Sequence, residues 1–470
     1  MTATSLRSTR VLLPARGEQP ARIVAARIVI RDGRIAQVDE DDQRADEDFG
    51  DRLITPAFVN AHTHLAMAFA RGLEVPDAAK GNRVEDLFFE LERRLTPAMV
   101  GAFARMGAYE SLLAGVGFVW EHYYHAPAIV KAMWETGLCG AVAPTLQDLS
   151  GPGVGGAERA LAYTQALDEN PEALRNGTVA ALGPHATDTV SSALWKEILE
   201  LGARSGLPIH LHLAQSVEEL SRAEAQGHTG TVARLQAVGA LDHAPGLVLA
   251  HGIFLGDAEL QRLASAGHCL VWCPRSASFF AFPADPRRWE EAGVNWVIAS
   301  DAAASNDAMD PRLELFEAHR LATSTITESS SYASFARAPS LASARSVWAE
   351  RAQQWRASRA WANPRALSSR VWSRPGALHP KLLAGVVEAG ALANLIVWDL
   401  DGPAAWPAQD PLHSLCFSVP GGGAAIYNLM TLGQWRGESG NFRRSVLDSK
   451  AYVHAWTEAS ARRRELLDSR

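Results

Sequence analysis

Histidine and aspartate stand at the ends of four apolar, strand-like runs. His62-Thr63-His64 follows residues 57–60, His210-Leu211-His212 closes 208–213, His251 follows 247–250, and Asp301 follows 296–300. In an extended chain residues i and i+2 face the same side, so the imidazoles of His62 and His64 can point into one space. Two such rings can bind one divalent ion at about 2.0–2.1 Å each. A lone His-x-His pair is a weak signal, because two histidines near a turn explain it equally well. Four strand ends that each carry His or Asp are hard to explain by packing. A charged or polar side chain delivered by an apolar strand into an enclosed space needs a partner, and a metal ion is a good one.

These residues need a scaffold that brings several strand ends together. Strand-like runs at 57–60, 118–120, 140–144, 178–182, 208–213, 247–250, 269–273 and 295–299 alternate with helical patterns that include 97–114, 128–136, 192–205, 229–238 and 257–266. Repeated βα units imply a parallel sheet, and eight of them imply a closed α/β barrel of the (β/α)8 TIM type, with its active site at the C-terminal strand ends. Both chain ends read as β. Residues 23–30 and 34–38 flank the turn signal Asp32-Gly33, and 393–399 and 424–432 are strand-like. The simplest joining is a small β-sandwich domain built from 1–56 and 385–470, the latter ending in a helix at 454–468, with the barrel at 57–384 between them. Residues 321–375, rich in Ser, Ala, Arg and Trp, read as short helices or loops outside the barrel, with Trp348, Trp355, Trp361 and Trp372 packing them onto it.

The 470 residues are 47% hydrophobic and 21% charged, which excludes a disordered or collagen-like chain. With 45 basic and 52 acidic side chains and no basic run, nothing points to nucleic acid. Cys269 and Cys273 have no second pair to complete a metal knot, so the four cysteines read as buried, reduced thiols. No apolar stretch approaches the roughly 20 residues of a membrane span. The first ten residues lack the apolar core of a secretory signal, so the expected location is the cytoplasm.

Beyond these residues, the strings TPAFVNAHTHLAMAFARGL (55–73), GPHATDTVS (183–191), HLHLAQSVEE (210–219), LAHGIFL (249–255), SDAAASNDAMD (300–310) and EAGALANLIVWD (388–399) resemble the amidohydrolase superfamily. The resembling branch is that of the cytosine, guanine and S-adenosylhomocysteine deaminases and the triazine hydrolases. The resemblance implies a hydrolase that attacks a C–N bond of a nitrogen heterocycle with metal-activated water. It makes His62, His64 and His212 imidazole ligands, and Asp301 both a ligand and the proton shuttle. It places His251 on the water or the oxyanion and His185 on the substrate. It implies one divalent transition metal, Zn2+ first and Fe2+ second, and a small-molecule substrate. Association into a homo-oligomer stays open.

Besides residues 321–375, where the helices expected after the last barrel strand are hard to recognise, two departures from that pattern bear on function. Gln215 stands where the deaminases carry Glu, and an amide can hydrogen-bond a substrate but cannot exchange a proton near neutral pH. Glu219 matches a second Glu of the pattern and reads as structural. Ala277 stands where that pattern has Asn, and Phe279, Phe280 and Phe282 replace a Leu/Gly loop and read as an apolar pocket wall or as plain core. His122, at a strand end, is a further candidate for a polar contact. The alternatives are a cyclic or linear amide hydrolase, or an inactive binding protein of the same fold. The complete ligand set argues against the last.

Overall fold

The computed structural model describes all residues except 1–2, 18, 41–43, 74–82, 283–284, 325–338, 408, 418–424 and 469–470. Strands are numbered along the chain. The N-terminal region holds β1 (Thr4–Leu13), β2 (Arg22–Arg31), β3 (Arg34–Asp39), β4 (Glu47–Asp48) and β5 (Leu53–Pro56). Asp32 and Gly33 both take left-handed backbone angles, φ 52° and 75°, which is the geometry of a tight hairpin between β2 and β3. After the barrel come β15 (Leu395–Asp399), β16 (Ala425–Thr431) and β17 (Gln434–Trp435). β15 pairs antiparallel with β5 through Leu395 and Pro56, so strands from both chain ends lie in one sheet.

The barrel strands are β6 (Phe58–Thr63), β7 (Val116–Tyr123), β8 (Cys139–Leu146), β9 (Thr178–Ala180), β10 (Gly183–Pro184), β11 (Ile209–Leu213), β12 (Leu247–His251), β13 (Cys269–Trp272) and β14 (Asn295–Ile298). Nearly all of their residues are buried, which is why the sequence shows continuous apolar runs here. Parallel pairing runs from β6 through β8 to β9 and β10, and from β11 through β14. Two bridges, Leu182 with Ile209 and Thr63 with Asp301, join these sets into a closed ring. β9 and β10 share the fourth barrel position.

Alternation carries Val59 and Ala61 to the interior cluster with Trp120, Val248 and Val297. The register with β7 then slips between Asn60 and Thr63, where one extra residue is accommodated. That bulge turns His62 to the interior, a common way to re-aim a side chain at a site.

One segment differs from expectation. Leu341–Trp361 is a single helix, capped by Ser340, whose hydroxyl accepts from the Ser343 N–H. Its Ala-, Arg- and Gln-rich composition favours helix without an amphipathic stripe to reveal it. Trp372 stacks on Phe58 with ring centroids 5.2 Å apart, whereas Trp348 is exposed. The side chains of Trp355 and Trp361, and residues 325–338, lie outside the described residues.

The helix Pro97–Leu113 packs unusually close to the turn Leu65–Ala70 that follows His64. A Cβ added at Gly107 would stand 2.2 Å from the Leu65 carbonyl oxygen. Gly107→Ala adds about 1 kcal/mol of helix propensity. It is nevertheless expected to lower the thermal midpoint, because backbone must move on one side. A raised midpoint would show that this close approach does not constrain the turn.

Candidate metal centre and active-site pocket

β6, β11, β12 and the end of β14 deliver His62, His64, His212, His251 and Asp301 to one point in the barrel mouth. Among the described residues, His62, His64 and His212 each offer a ligand atom within 4.8 Å of the others, and so do His62, His251 and Asp301. His251 and Asp301 adopt left-handed backbone angles, φ 79° and 64°. Such angles cost of order 1–3 kcal/mol in a non-glycine residue and gather at functional sites.

The hydrogen bonds fix which ring nitrogens carry protons. His64 Nδ1 lies 2.5 Å from the His122 carbonyl oxygen, and His212 Nδ1 lies 2.7 Å from that of His185. A carbonyl only accepts, so both Nδ1 atoms are protonated in the neutral rings and both Nε2 atoms are bare lone pairs. These two Nε2 atoms face each other at 3.3 Å. Asp301 Oδ1 stands 3.5 Å from His64 Nε2 and 3.7 Å from His62 Nε2. Its other oxygen, Oδ2, accepts from Ser276 (2.7 Å) and Ser305 (3.0 Å). The Nε2 atoms of His62 and His251 are buried without a hydrogen-bond partner.

Burial is the largest influence on every ring. It holds His62, His64 and His212 below the ordinary imidazole value, His251 down to about 4 despite Asp301, and His185 to about 3. The rings are therefore neutral at pH 7, the form that coordinates a metal. Lone pairs that face one another at 3.3–3.7 Å repel unless a cation lies between them. A tetrahedral ion with ligands at about 2.0–2.1 Å has ligand–ligand edges of about 3.3–3.4 Å. The donor set and its spacing fit a divalent ion.

Glu121, fully buried on β7, braces the approach to His64. It accepts from the Thr63 hydroxyl at 2.6 Å and from the Leu65 N–H at 3.0 Å. Burial raises its carboxyl to about 8, against those hydrogen bonds.

Above the centre lies a pocket that opens to solvent. Phe88, Phe89, Tyr123, Tyr124 and Phe280 form apolar walls, and Glu92, Thr145, His185 and Gln215 are polar groups among them. Phe280 thus belongs to the pocket, while Phe279 is partly exposed. Gln215 lines the pocket, and its backbone N–H donates to Glu219 Oε2 at 3.1 Å. Glu219 Oε1 accepts from the Thr187 hydroxyl, so this carboxyl ties two loops together. Arg222 bonds both Glu85 and Asp188, fastening the wall segment that carries Phe88 and Phe89.

The sequence reading missed Glu92, Tyr123, Tyr124 and the serines on Asp301. Tyr123 ends β7, and the strand-end rule that found the histidines could have found it. Glu92 ends the short helix Phe89–Glu92 and carries no such signal.

A model of the amidohydrolase family matches residues 53–346. The 5-methylthioadenosine/S-adenosylhomocysteine deaminase of Thermococcus kodakarensis is 26% identical over 410 residues, covering 85% of this chain and 87% of that protein. An adenosine deaminase from Xanthomonas campestris, solved with bound zinc, superposes with a TM-score of 0.79 at 20% identity, covering 99% and 98% of the two chains. A guanine deaminase from C. acetobutylicum with bound guanine gives 0.73 at 15% identity, covering 92% and 100%.

Burial raises Glu92 to about 8 from an ordinary value of 4.5, with Tyr123 and Arg93 opposing. Between those values the folded chain keeps a proton that the unfolded chain releases, so this group's contribution to stability falls as pH rises. Glu92→Gln removes that titration. The variant's gain in thermal midpoint over the metal-free parent is expected to be larger at about pH 8 than at about pH 5. An equal difference at both pH values would contradict a buried, protonated Glu92.

Proposed function

The chain belongs to the amidohydrolase family, and on that premise we propose that it is a metal-dependent hydrolase that removes an amino group from a nitrogen heterocycle. The observation that carries this is the set of lone-pair atoms on His64, His212 and Asp301 facing one another with no proton to share, with the buried His62 Nε2 3.7 Å from Asp301 and without a hydrogen-bond partner. These four residues would hold one divalent ion. Zn2+ suits three imidazoles and a carboxylate oxygen, and Fe2+ accepts the same donors. When bound, such an ion lowers the pKa of a water molecule towards about 7.

The remaining work falls to side chains. Asp301, its Oδ2 held by Ser276 and Ser305, takes the proton of the attacking water and returns it to the departing amine. Neutral His251 stands beside the centre and stabilises the forming oxyanion through its ring N–H. Phe88, Phe89 and Phe280 enclose a flat ring and exclude water. His185, Gln215 and protonated Glu92 offer it hydrogen bonds.

The curated relatives act, by their names, on 5′-substituted adenosines, which makes aminopurine nucleosides the first substrates to try. Gln215 favours a second reading, hydrolysis of a cyclic amide, in which one carboxylate suffices for proton transfer. No helix among the described residues is long and apolar enough to cross a membrane. The four cysteines are buried free thiols, which agrees with a cytoplasmic location.

Metal-loaded protein is expected to release ammonia from an aminopurine nucleoside. Asp301→Asn should reduce this by at least about 10²–10⁴-fold, the usual share of a general acid–base group. Gln215→Ala should mainly weaken binding, by roughly 1–3 kcal/mol for a lost partner in a buried site, and leave the pH–rate profile alone. Hydrolysis of cyclic amides without ammonia would select the second reading. A limb of the pH profile lost with Gln215→Ala, while Asp301→Asn stays active, would overturn this division of labour.

A further inference from the structure

Each imidazole of the proposed centre is oriented through its second nitrogen. For His64 and His212 the partner is a backbone carbonyl. His62 differs, because its Nδ1 lies 2.9 Å from Nε2 of His210, another histidine with no exposed surface. The remaining nitrogen of His210, Nδ1, is buried with no hydrogen-bond partner, and the ring stands edge-on to Trp120 at 5.7 Å. An unpartnered polar atom in a core calls for an explanation.

The tautomers supply one. If His62 presents a lone pair at Nε2, its Nδ1 must carry the proton and His210 Nε2 must accept it. The one proton of neutral His210 is then forced onto its unpartnered Nδ1. The opposite tautomer would put a proton on His62 Nε2, on the side of Asp301, and so leave the centre one ligand short. We propose that His210 is a positioning residue for the metal centre. It accepts from His62 Nδ1 and so holds the His62 lone pair towards Asp301. His210 lies on β11 two residues before His212, so this strand both supplies a ligand and orients one held on β6. Metal-ligating histidines commonly hold their second nitrogen this way, although the partner is usually a carboxylate, carbonyl or water.

This inference rests on the metal-centre reading, and its test separates the two. Zinc affinity is measured for the chelator-stripped parent, His210→Leu and His210→Gln by competition with a chromophoric chelator, together with the thermal midpoint of each metal-free protein. His210→Leu is expected to weaken zinc binding by about 10–100-fold, the usual effect of losing such a partner. Its metal-free midpoint should stay close to the parent's, because the unpartnered Nδ1 goes while His62 Nδ1 loses its partner. His210→Gln, whose Oε1 can accept near the former Nε2 position, should recover most of the affinity. Parent-like zinc binding by His210→Leu would overturn the role. So would equal losses in both variants, or losses that follow a falling metal-free midpoint, because packing alone would then explain them. A parent that takes up no zinc would overturn the metal centre itself and this role with it.

Discussion

The arrangement turns on repulsion. Two imidazole nitrogens stripped of their protons face each other at 3.3 Å, and a carboxylate oxygen lies 3.5 Å from one of them. No choice of tautomer at His64 or His212 relieves this while the His122 and His185 carbonyls take the Nδ1 protons. In water these groups would turn away and be solvated. Here burial depresses the imidazoles, so they cannot gain protons and pair with Asp301 as cations near neutral pH. On the proposed reading a divalent cation makes the cluster favourable, and the fold holds the cluster ready for one.

The barrel does so with parts that bear directly on the centre. Ring closure runs through the bridge between Thr63 and Asp301, so the last strand is joined to the first at the ligands themselves. The Asp301 N–H donates to the His62 carbonyl at 3.1 Å, which ties two ligand-bearing backbones together. Left-handed backbone at His251 and Asp301 swings both side chains inward as their strands end. The sheet at the chain ends supports this at one remove. Trp398 on β15 donates its ring N–H to the Thr55 hydroxyl on β5, three residues before β6 begins.

Much of this was legible because it rests on short-range rules. Apolar runs ending in His or Asp mark the mouths of β6, β11, β12 and β14. The helix Ser192–Ser205 begins and ends where its residues say: Ser191 accepts from the Leu194 N–H, and Gly206 takes the left-handed stop. The rest was hidden for physical reasons. The bulge in β6 is a register event between β6 and β7, two strands distant from each other in sequence. The carbonyls that orient His64 and His212 are backbone atoms, which carry no residue signature. Glu92 reaches the pocket from a helical segment whose apolar neighbours mask it. Leu341–Trp361 has helix-forming composition without helical periodicity.

On the proposed reading Asp301 bears the proton traffic, because the Gln215 amide cannot exchange a proton near neutral pH, while the aromatic walls set the shape of what can enter. All of this presupposes an ion among the facing lone pairs. Anomalous diffraction at the zinc edge from zinc-loaded crystals tests that most directly. The account predicts one dominant peak within about 2.0–2.2 Å of His62 Nε2, His64 Nε2, His212 Nε2 and Asp301 Oδ1. A peak held by other residues, or none at this point with the four side chains turned apart, would contradict it.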